Sequence, residues 1–346
     1  MINKEEIINK LKKVMDPELG MSIIDANMVR NISIDENNNI KIVLALTSPS
    51  CPLLDKIKED ILSNLKEIQG VNNIEIITEV MPEEEAKKLL SKIRIRKLPK
   101  MNIKRIIAIL SGKGGVGKSS ITSLIAVTLA NMGYKVGILD ADITGSSISK
   151  IFGVKVTPFI VEGKIIPPKS KKGIKIISMN LILLDEESPV IWRGPLISSA
   201  IRQFYTDVDW GELDYLLIDL PPGTSDAQLT VMQILPLDGV IIVTSPQELV
   251  GTIVAKAMNM SISLGIPILG VIENMSYITC PKCGEKISIF GESKGKIIAE
   301  KINTKFLGSI PIDPKLTIAC DKGIIEDYEN KEIFSILKEI IETISL

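Results

Sequence analysis

Ser111-Gly112-Lys113-Gly114-Gly115-Val116-Gly117-Lys118-Ser119 is the stretch whose reading decides the fold. It fits the pattern G-x-x-x-x-G-K-[ST], in which glycines let the backbone curl so that successive N–H groups face phosphate oxygens. Lys118 supplies a point charge and Ser119 a hydroxyl for Mg2+. Upstream, Ile106-Ile107-Ala108-Ile109-Leu110 reads as a buried parallel strand. Downstream, Ser120 to Met132 reads as a helix that Gly133 closes. That order sets a helix N-terminus, with its unpaired N–H groups and positive dipole end, against the phosphates. The candidate nucleotide-binding set is Gly112, Lys113, Gly114, Gly115, Val116, Gly117, Lys118, Ser119 and Ser120. The second lysine, Lys113, hints at a dimer.

Working outward, strands alternate with helices from Lys104 onward: Lys135 to Asp140, Tyr215 to Asp219, Gly239 to Thr244 and Ile268 to Asn274. Each is a short β-branched run without internal alternation, as expected of a sheet covered by helices on both faces. The fold class is α/β, a phosphate-loop domain with a mostly parallel sheet, over residues 103–346. Such sheets bind ligands at the carboxyl ends of their strands. Three acidic signals fall there: Asp140-Ala141-Asp142, Asp219-Leu220-Pro221-Pro222-Gly223 and Glu273-Asn274. Asp219 is placed to hold Mg2+ through water and Gly223 to offer a backbone N–H to the terminal phosphate. Asp142 is a candidate to orient or activate the attacking water. Any one of these acids alone could be a helix N-cap; their repetition at strand ends favours the site.

The first 92 residues read as a separate small α+β domain. A helical stripe (Ile7, Ile8, Leu11, Val14) stops at Asp16-Pro17, and Val29 to Ile34 and Ile40 to Leu46 form two strands around the polar turn Asp35 to Asn39. A helix from Leu53 to Ile68 and a strand from Ile74 to Val80 complete it. Residues 93–102, basic and proline-containing, read as a linker.

Composition bounds the setting. The chain has 346 residues, 45% hydrophobic and 24% charged, as in a globular protein of two domains. No apolar run reaches the membrane-spanning length of about 18 to 20 residues. Met1-Ile2-Asn3-Lys4-Glu5-Glu6 has acidic charges where a signal peptide is basic, so the expectation is a cytoplasmic protein without a membrane partner. The C-terminal helix Glu332 to Leu346 lacks the basic face of a membrane-surface helix. A net charge of -1 gives no electrostatic reason to expect nucleic acid. Histidine is absent, which excludes His-based acid/base catalysis and His-ligated metal sites.

Cys280-Pro281-Lys282-Cys283-Gly284 is the second chemical signal. A C-x-x-C turn brings two thiolates to one metal, and the following glycine permits the tight loop that turns N–H groups toward sulfur. Zinc and iron–sulfur clusters both take about four ligands, while Cys51 and Cys320 are isolated in sequence. A second copy of the motif across a two-fold axis would complete the set. A structural zinc knuckle and a redox dithiol remain alternatives at this point.

Together these motifs resemble the Mrp/ApbC-type iron–sulfur cluster carrier ATPases, relatives of MinD, ParA and the nitrogenase iron protein. The resemblance rests on Gly112 to Ser119 with Lys113, on Asp140 to Asp142, on Trp192-Arg193-Gly194-Pro195, on Asp209-Trp210-Gly211 with Asp219 to Asp226, and on Glu273 to Ser276 leading into Cys280 and Cys283. It implies a homodimer that hydrolyses ATP with Mg2+, and apo iron–sulfur proteins as recipients of the cluster. Lys113 then reaches the partner's nucleotide, Asp142 assists hydrolysis, Asn274 contacts adenine, and Cys280 and Cys283 of two subunits share one 4Fe-4S cluster. The N-terminal region is similar to the metal–sulfur cluster assembly domain through Asp16-Pro17-Glu18 and Leu46 to Pro52, which includes Cys51. Thr144-Gly145-Ser146, where an aromatic-Gly-Pro run is usual, and Leu124, where Asn is frequent, depart from the family pattern. The rival functions are a ParA/MinD-like positioning ATPase and a zinc-stapled nucleotide-switch adaptor.

Overall fold

The computed structural model describes residues 3–16, 21–46, 54–82, 84–85, 97–143, 145–182, 194–223, 225–247, 260–262 and 264–345. Cys51, Pro17-Glu18, Thr144 and Trp192-Arg193, which the sequence singled out, lie outside them. The chain divides into two compact units, Met1–Ile95 and Arg96–Leu346.

In the first unit, α1 (Lys4–Leu11) is capped by Asn3, whose side chain accepts the N–H of Glu5. Two short strands, β1 (Met15–Asp16) and β2 (Met21–Ser22), pair antiparallel. β3 (Val29–Ile34) and β4 (Ile40–Leu46) form an antiparallel hairpin. α2 (Leu54–Lys66) then crosses over to β5 (Ile74–Val80), which pairs parallel with β4. Ile7 and Leu11 of α1, Ile42 and Leu44 of β4 and Ile57, Ile61 and Leu65 of α2 close the core of this unit. Burying each such side chain contributes about 1.5–3 kcal/mol, which gives the unit a hydrophobic core of its own.

The second unit opens with β6 (Ile103–Ser111) and α3 (Lys118–Asn131), followed by β7 (Val136–Asp140) and the short α4 (Ile148–Ile151). The hairpin β8 (Phe159–Val161) and β9 (Lys164–Ile166) precedes β10 (Lys175–Ile177) and α5 (Gly194–Thr206). Next come β11 (Leu213–Asp219), α6 (Asp226–Ile234), β12 (Gly239–Thr244) and β13 (Ile268–Glu273). A small hairpin, β14 (Ile278–Thr279) and β15 (Lys286–Ile287), leads to α7 (Gly295–Lys301) and β16 (Phe306–Ser309). α8 (Pro314–Asp321) and α9 (Lys331–Ser345) end the chain.

Seven of these strands form one sheet in the order β10-β7-β11-β6-β12-β13-β16, every pair parallel. The five strands expected from the sequence are the inner five. The two that the sequence did not reveal are the edges, β10 and β16, whose three and four residues are too short to show a pattern. β7 and β12 are buried along their whole length, which is why their residues read as unbroken apolar runs. One face is covered by Ile121, Leu124 and Ile125 of α3 together with Ile333, Leu337 and Ile340 of α9. The end of the predicted linker belongs to this unit: Leu98 N–H donates to the Ile234 carbonyl at 2.7 Å, and Lys100 pairs with Asp238 at 2.7 Å. No helix among the described residues is long and apolar enough to cross a membrane.

Candidate functional site

The register of the sheet assembles the site. Asp219, the last residue of β11, lies opposite Asp140 on β7 and Ile109 on β6, so two carboxylates and the phosphate loop after Ser111 emerge at the same carboxyl edge. The loop turns into α3 through Gly117, which caps the helix in the left-handed region at φ 78°. Only glycine adopts this conformation cheaply. A methyl group there would also strike the Asn274 amide.

Asp219 is fully buried, and both of its carboxylate oxygens accept hydrogen bonds. One oxygen accepts from Lys118 Nζ at 2.6 Å and from Ser119 Oγ at 2.6 Å; the other accepts from Thr122 Oγ1 at 2.7 Å. Lys118 is itself only 6% exposed. The lysine and serine of the motif are therefore held against the acid of the neighbouring strand. That hard-oxygen set, a hydroxyl beside a carboxylate, fits Mg2+. Asp140 accepts from Ser146 Oγ at 2.7 Å and, at 3.2 Å each, from the N–H groups of Ser147 and Ile148; its second oxygen accepts the N–H of Asp142 at 3.1 Å. Burial first, and then the negative charge of Asp219, push its pKa up to about 7. Asp140 thus fixes the turn that carries Asp142. Asp142 in turn accepts the Gly145 N–H at 3.1 Å.

A cleft of about 520 Å³ opens over this arrangement, lined by Lys113 and Gly114 to Ser120 of the loop, with Asp142, Lys150, Pro222, Cys320 and Asp321 around it. Gly223 stands beside Pro222 with φ 80°, and its N–H donates to the Ser111 carbonyl at 3.1 Å. Asn274 is buried, and its Nδ2 donates to the Val116 carbonyl at 2.9 Å, so the side chain braces the loop.

Cys280 and Cys283 lie apart from this cleft in sequence and in environment. They occupy the loop between β14 and β15, closed by the Cys280 N–H to the Glu285 carbonyl at 2.8 Å and by the Gly284 N–H to the Cys280 carbonyl at 2.9 Å. Gly284 has φ 77°, the left-handed turn that the motif's final glycine supplies. Hydrogen bonds from the main-chain N–H of Cys283, then of Lys282, then from the Cys283 thiol hold the Cys280 thiol below its ordinary pKa. A thiol biased toward thiolate is a metal ligand in waiting. Cys283 is exposed and Cys280 half-buried. Among the described residues no group of three or more Cys, Asp or Glu side chains converges to hold a metal ion. The hairpin therefore offers two ligands and no more.

Comparison with known proteins identifies the family of the chain. The family described as NUBPL iron-transfer P-loop NTPase matches residues 102–345. The chain belongs to that family. Residues 4–76 match the iron–sulfur cluster assembly protein family, in keeping with the α+β region read from the sequence. An iron–sulfur cluster carrier protein of Synechocystis is 37% identical over the whole of this chain and 99% of its own length. One of Methanocaldococcus jannaschii is 50% identical over 70% of this chain and 86% of its own. A nucleotide-binding protein from Archaeoglobus fulgidus, solved with ADP, is 43% identical, with a TM-score of 0.60 over 69% of this chain and 93% of that one.

In this iron-transfer NTPase the structure also brings in residues that the sequence did not mark. Thr122 lies one turn into α3 and completes the cage of Asp219; its i+4 spacing from Lys118 was the available signal. Asp140 was visible in Asp140-Ala141-Asp142, but its role as organiser of the following turn needed the fold. Cys320 and Asp321 reach the cleft from α8, some 200 residues downstream of Ser120, whose hydroxyl lies 3.8 Å from the Cys320 sulfur. No local pattern announces that approach.

Proposed function

We propose that the chain is a homodimeric ATPase that carries an iron–sulfur cluster between the Cys280 and Cys283 pairs of two copies and delivers it to apo-proteins. The observation that carries this reading is the hairpin: two accessible thiols, one biased toward thiolate, in a ligand set that the described residues of one chain leave half-filled. A cubane cluster takes about four thiolates, and a second copy supplies the missing two. The names of the relatives, iron–sulfur cluster carriers, support the cargo.

In the nucleotide site, the N–H groups of Gly112 to Ser120 cradle the phosphates of ATP, and Lys118 turns from Asp219 to the β- and γ-phosphate oxygens. Ser119 through its hydroxyl and Asp219 through water would hold Mg2+, which would supply positive charge to the phosphate oxygens. Gly223 N–H exchanges the Ser111 carbonyl for the terminal phosphate. Asp142 orients the water that attacks it, while Lys113 reaches the partner's nucleotide and stabilises the charge that develops there. Asn274 holds the loop from behind and borders the adenine. Hydrolysis then separates the state that holds the cargo from the state that releases it.

The test is anaerobic reconstitution followed by transfer to an apo-ferredoxin. Wild-type protein acquires and passes on iron and sulfide, Cys280→Ser and Cys283→Ser acquire none, and Lys113→Ala acquires the cluster but turns over ATP slowly. A protein that takes up only zinc contradicts the proposal.

A further inference from the structure

Seven residues, Asn274 to Cys280, join the nucleotide loop to the thiol hairpin, and hydrogen bonds pin this strap along its length. Asn274 donates its side chain to the Val116 carbonyl and its N–H to the Thr244 carbonyl, at 2.9 and 2.8 Å. Met275 follows at φ 58°, a left-handed conformation that a non-glycine residue keeps only when its surroundings impose it. The Ser276 N–H donates to the Ile310 carbonyl at 3.1 Å and its hydroxyl to the Glu273 carboxylate at 2.8 Å. Glu273 is fully buried, and its other oxygen accepts the N–H groups of Lys294 and Gly295 at 2.7 and 2.8 Å. The Tyr277 carbonyl accepts the Ile312 N–H at 2.7 Å.

The Tyr277 side chain then reaches across to the hairpin. Its hydroxyl donates to Glu332 at 2.9 Å and accepts from Lys286 at 3.0 Å; Lys286 also donates to Glu332 at 3.2 Å and sits 4.2 Å from the centre of the tyrosine ring. Lys286 belongs to β15, the far strand of the thiol hairpin, and Glu332 to α9. The Lys286 and Glu332 side chains are 59% and 43% exposed, so their ion pair contributes little to stability. The triangle joins the strap to β15 and α9 through three hydrogen bonds.

We propose that this strap couples nucleotide occupancy to the thiols, with Tyr277 as the positioning residue that makes the hairpin follow it. Phosphate binding draws on the backbone of the loop that contains Val116; Asn274 is bonded to that backbone, and the pinned strap passes the displacement toward Cys280. By linkage the effect is reciprocal, so a ligand on the thiols changes nucleotide affinity by the same factor. The inference rests on the reading of Cys280 and Cys283 as the cargo site, and its test avoids the cargo.

Full-length, reduced, metal-free protein is alkylated with iodoacetamide, with and without a non-hydrolysable ATP analogue and Mg2+. Peptide-resolved mass spectrometry follows each cysteine. Cys320, in the nucleotide cleft, reports occupancy in the same sample through its protection. The expected result is a change of about fivefold or more in the Cys280 rate when the analogue binds, the lower end of typical couplings. Tyr277→Phe, which keeps the backbone bond to Ile312, brings that ratio close to one while Cys320 protection persists, and Glu332→Gln reduces it at the surface. A wild-type ratio of one with Cys320 protected overturns the coupling; a wild-type ratio in both variants overturns the role of Tyr277. Iron and sulfide analysis of separately reconstituted protein tests the cargo reading. A protein without cluster but with the coupled alkylation sinks that reading and leaves the strap standing.

Discussion

The nucleotide cleft and the thiol hairpin are built on opposite terms. In the cleft, every polar atom of Asp219 has a partner, Lys118 is buried, and Asp140 and Asn274 are consumed in holding the loops. On the hairpin, Cys283 is exposed, the turn is closed by two backbone hydrogen bonds, and the ligand set is half of what a cluster takes. A site that cleaves a phosphoanhydride gains from groups fixed before the substrate arrives, since charge stabilisation that needs no reorganisation is the largest catalytic term. A site that surrenders its cargo gains from accessibility and incompleteness. The difference predicts that substitutions in the first region damage stability, and that substitutions in the second abolish function while leaving the fold untouched.

The largest effect is expected at Lys118. Lys118→Ala leaves the fully buried Asp219 charge without its ion pair, at a cost of about 3–5 kcal/mol in unfolding free energy. Nucleotide affinity falls at least about tenfold, because a hydrogen bond to a charged group contributes roughly 1.5–3 kcal/mol. Urea unfolding and nucleotide titration of the same variant check both, and a variant as stable as wild type would break the contrast between the regions.

Gly117→Ala comes next. A side chain in the left-handed region costs about 1–2 kcal/mol, and here the added methyl also displaces the Asn274 amide. Restored stability in the double variant Gly117→Ala, Asn274→Ala, relative to the sum of the two single changes, would show that the collision is the cause.

Asp140 supplies a dependence on pH. The folded chain keeps its proton up to about pH 7, whereas the unfolded chain releases it near the ordinary value of about 4. Between those limits the folded state binds more protons, so this carboxyl lowers stability as pH rises, by about 1.4 kcal/mol for each unit. Asp140→Asn removes that slope. Urea titrations across the window compare the two proteins, and parallel curves would place the Asp140 charge elsewhere than argued.

The smallest effect on stability is expected at the hairpin. Cys283→Ser changes an exposed side chain, so the unfolding free energy stays within about 0.5 kcal/mol of wild type. The same change eliminates cluster binding. A destabilisation comparable to that of Lys118→Ala would mean that the hairpin is a structural staple rather than a delivery site.

Much of this contrast was legible in the sequence, and the reason differs between the regions. The phosphate loop, Asp219 and the inner strands announced themselves because a parallel sheet buried on both faces writes continuous apolar runs, and because its site falls where those runs stop. The strands Val29–Ile34 and Ile74–Val80 were equally plain, since a polar turn or a helix separates each from its neighbour. The edge strands β10 and β16 were not, because three or four residues carry no period. The cage around Asp219 and the approach of Cys320 to Ser120 escaped for another reason: they are made by residues about 100 and 200 positions apart, and tertiary contacts leave no local trace. The two cysteines were read at once, but their number could not separate iron–sulfur from zinc, and the closing of the turn by the Gly284 N–H became visible only in the fold.

The central claim is that the hairpin is half of a site. Native mass spectrometry of anaerobically reconstituted protein tests it most directly, because mass gives chain count and cluster composition in one reading. The account predicts about four iron and four sulfide on a dimer of intact chains, with the monomer peak free of metal and the dimer peak lost in Cys280→Ser. A monomer carrying a full cluster, or a dimer whose added mass is zinc, would contradict it.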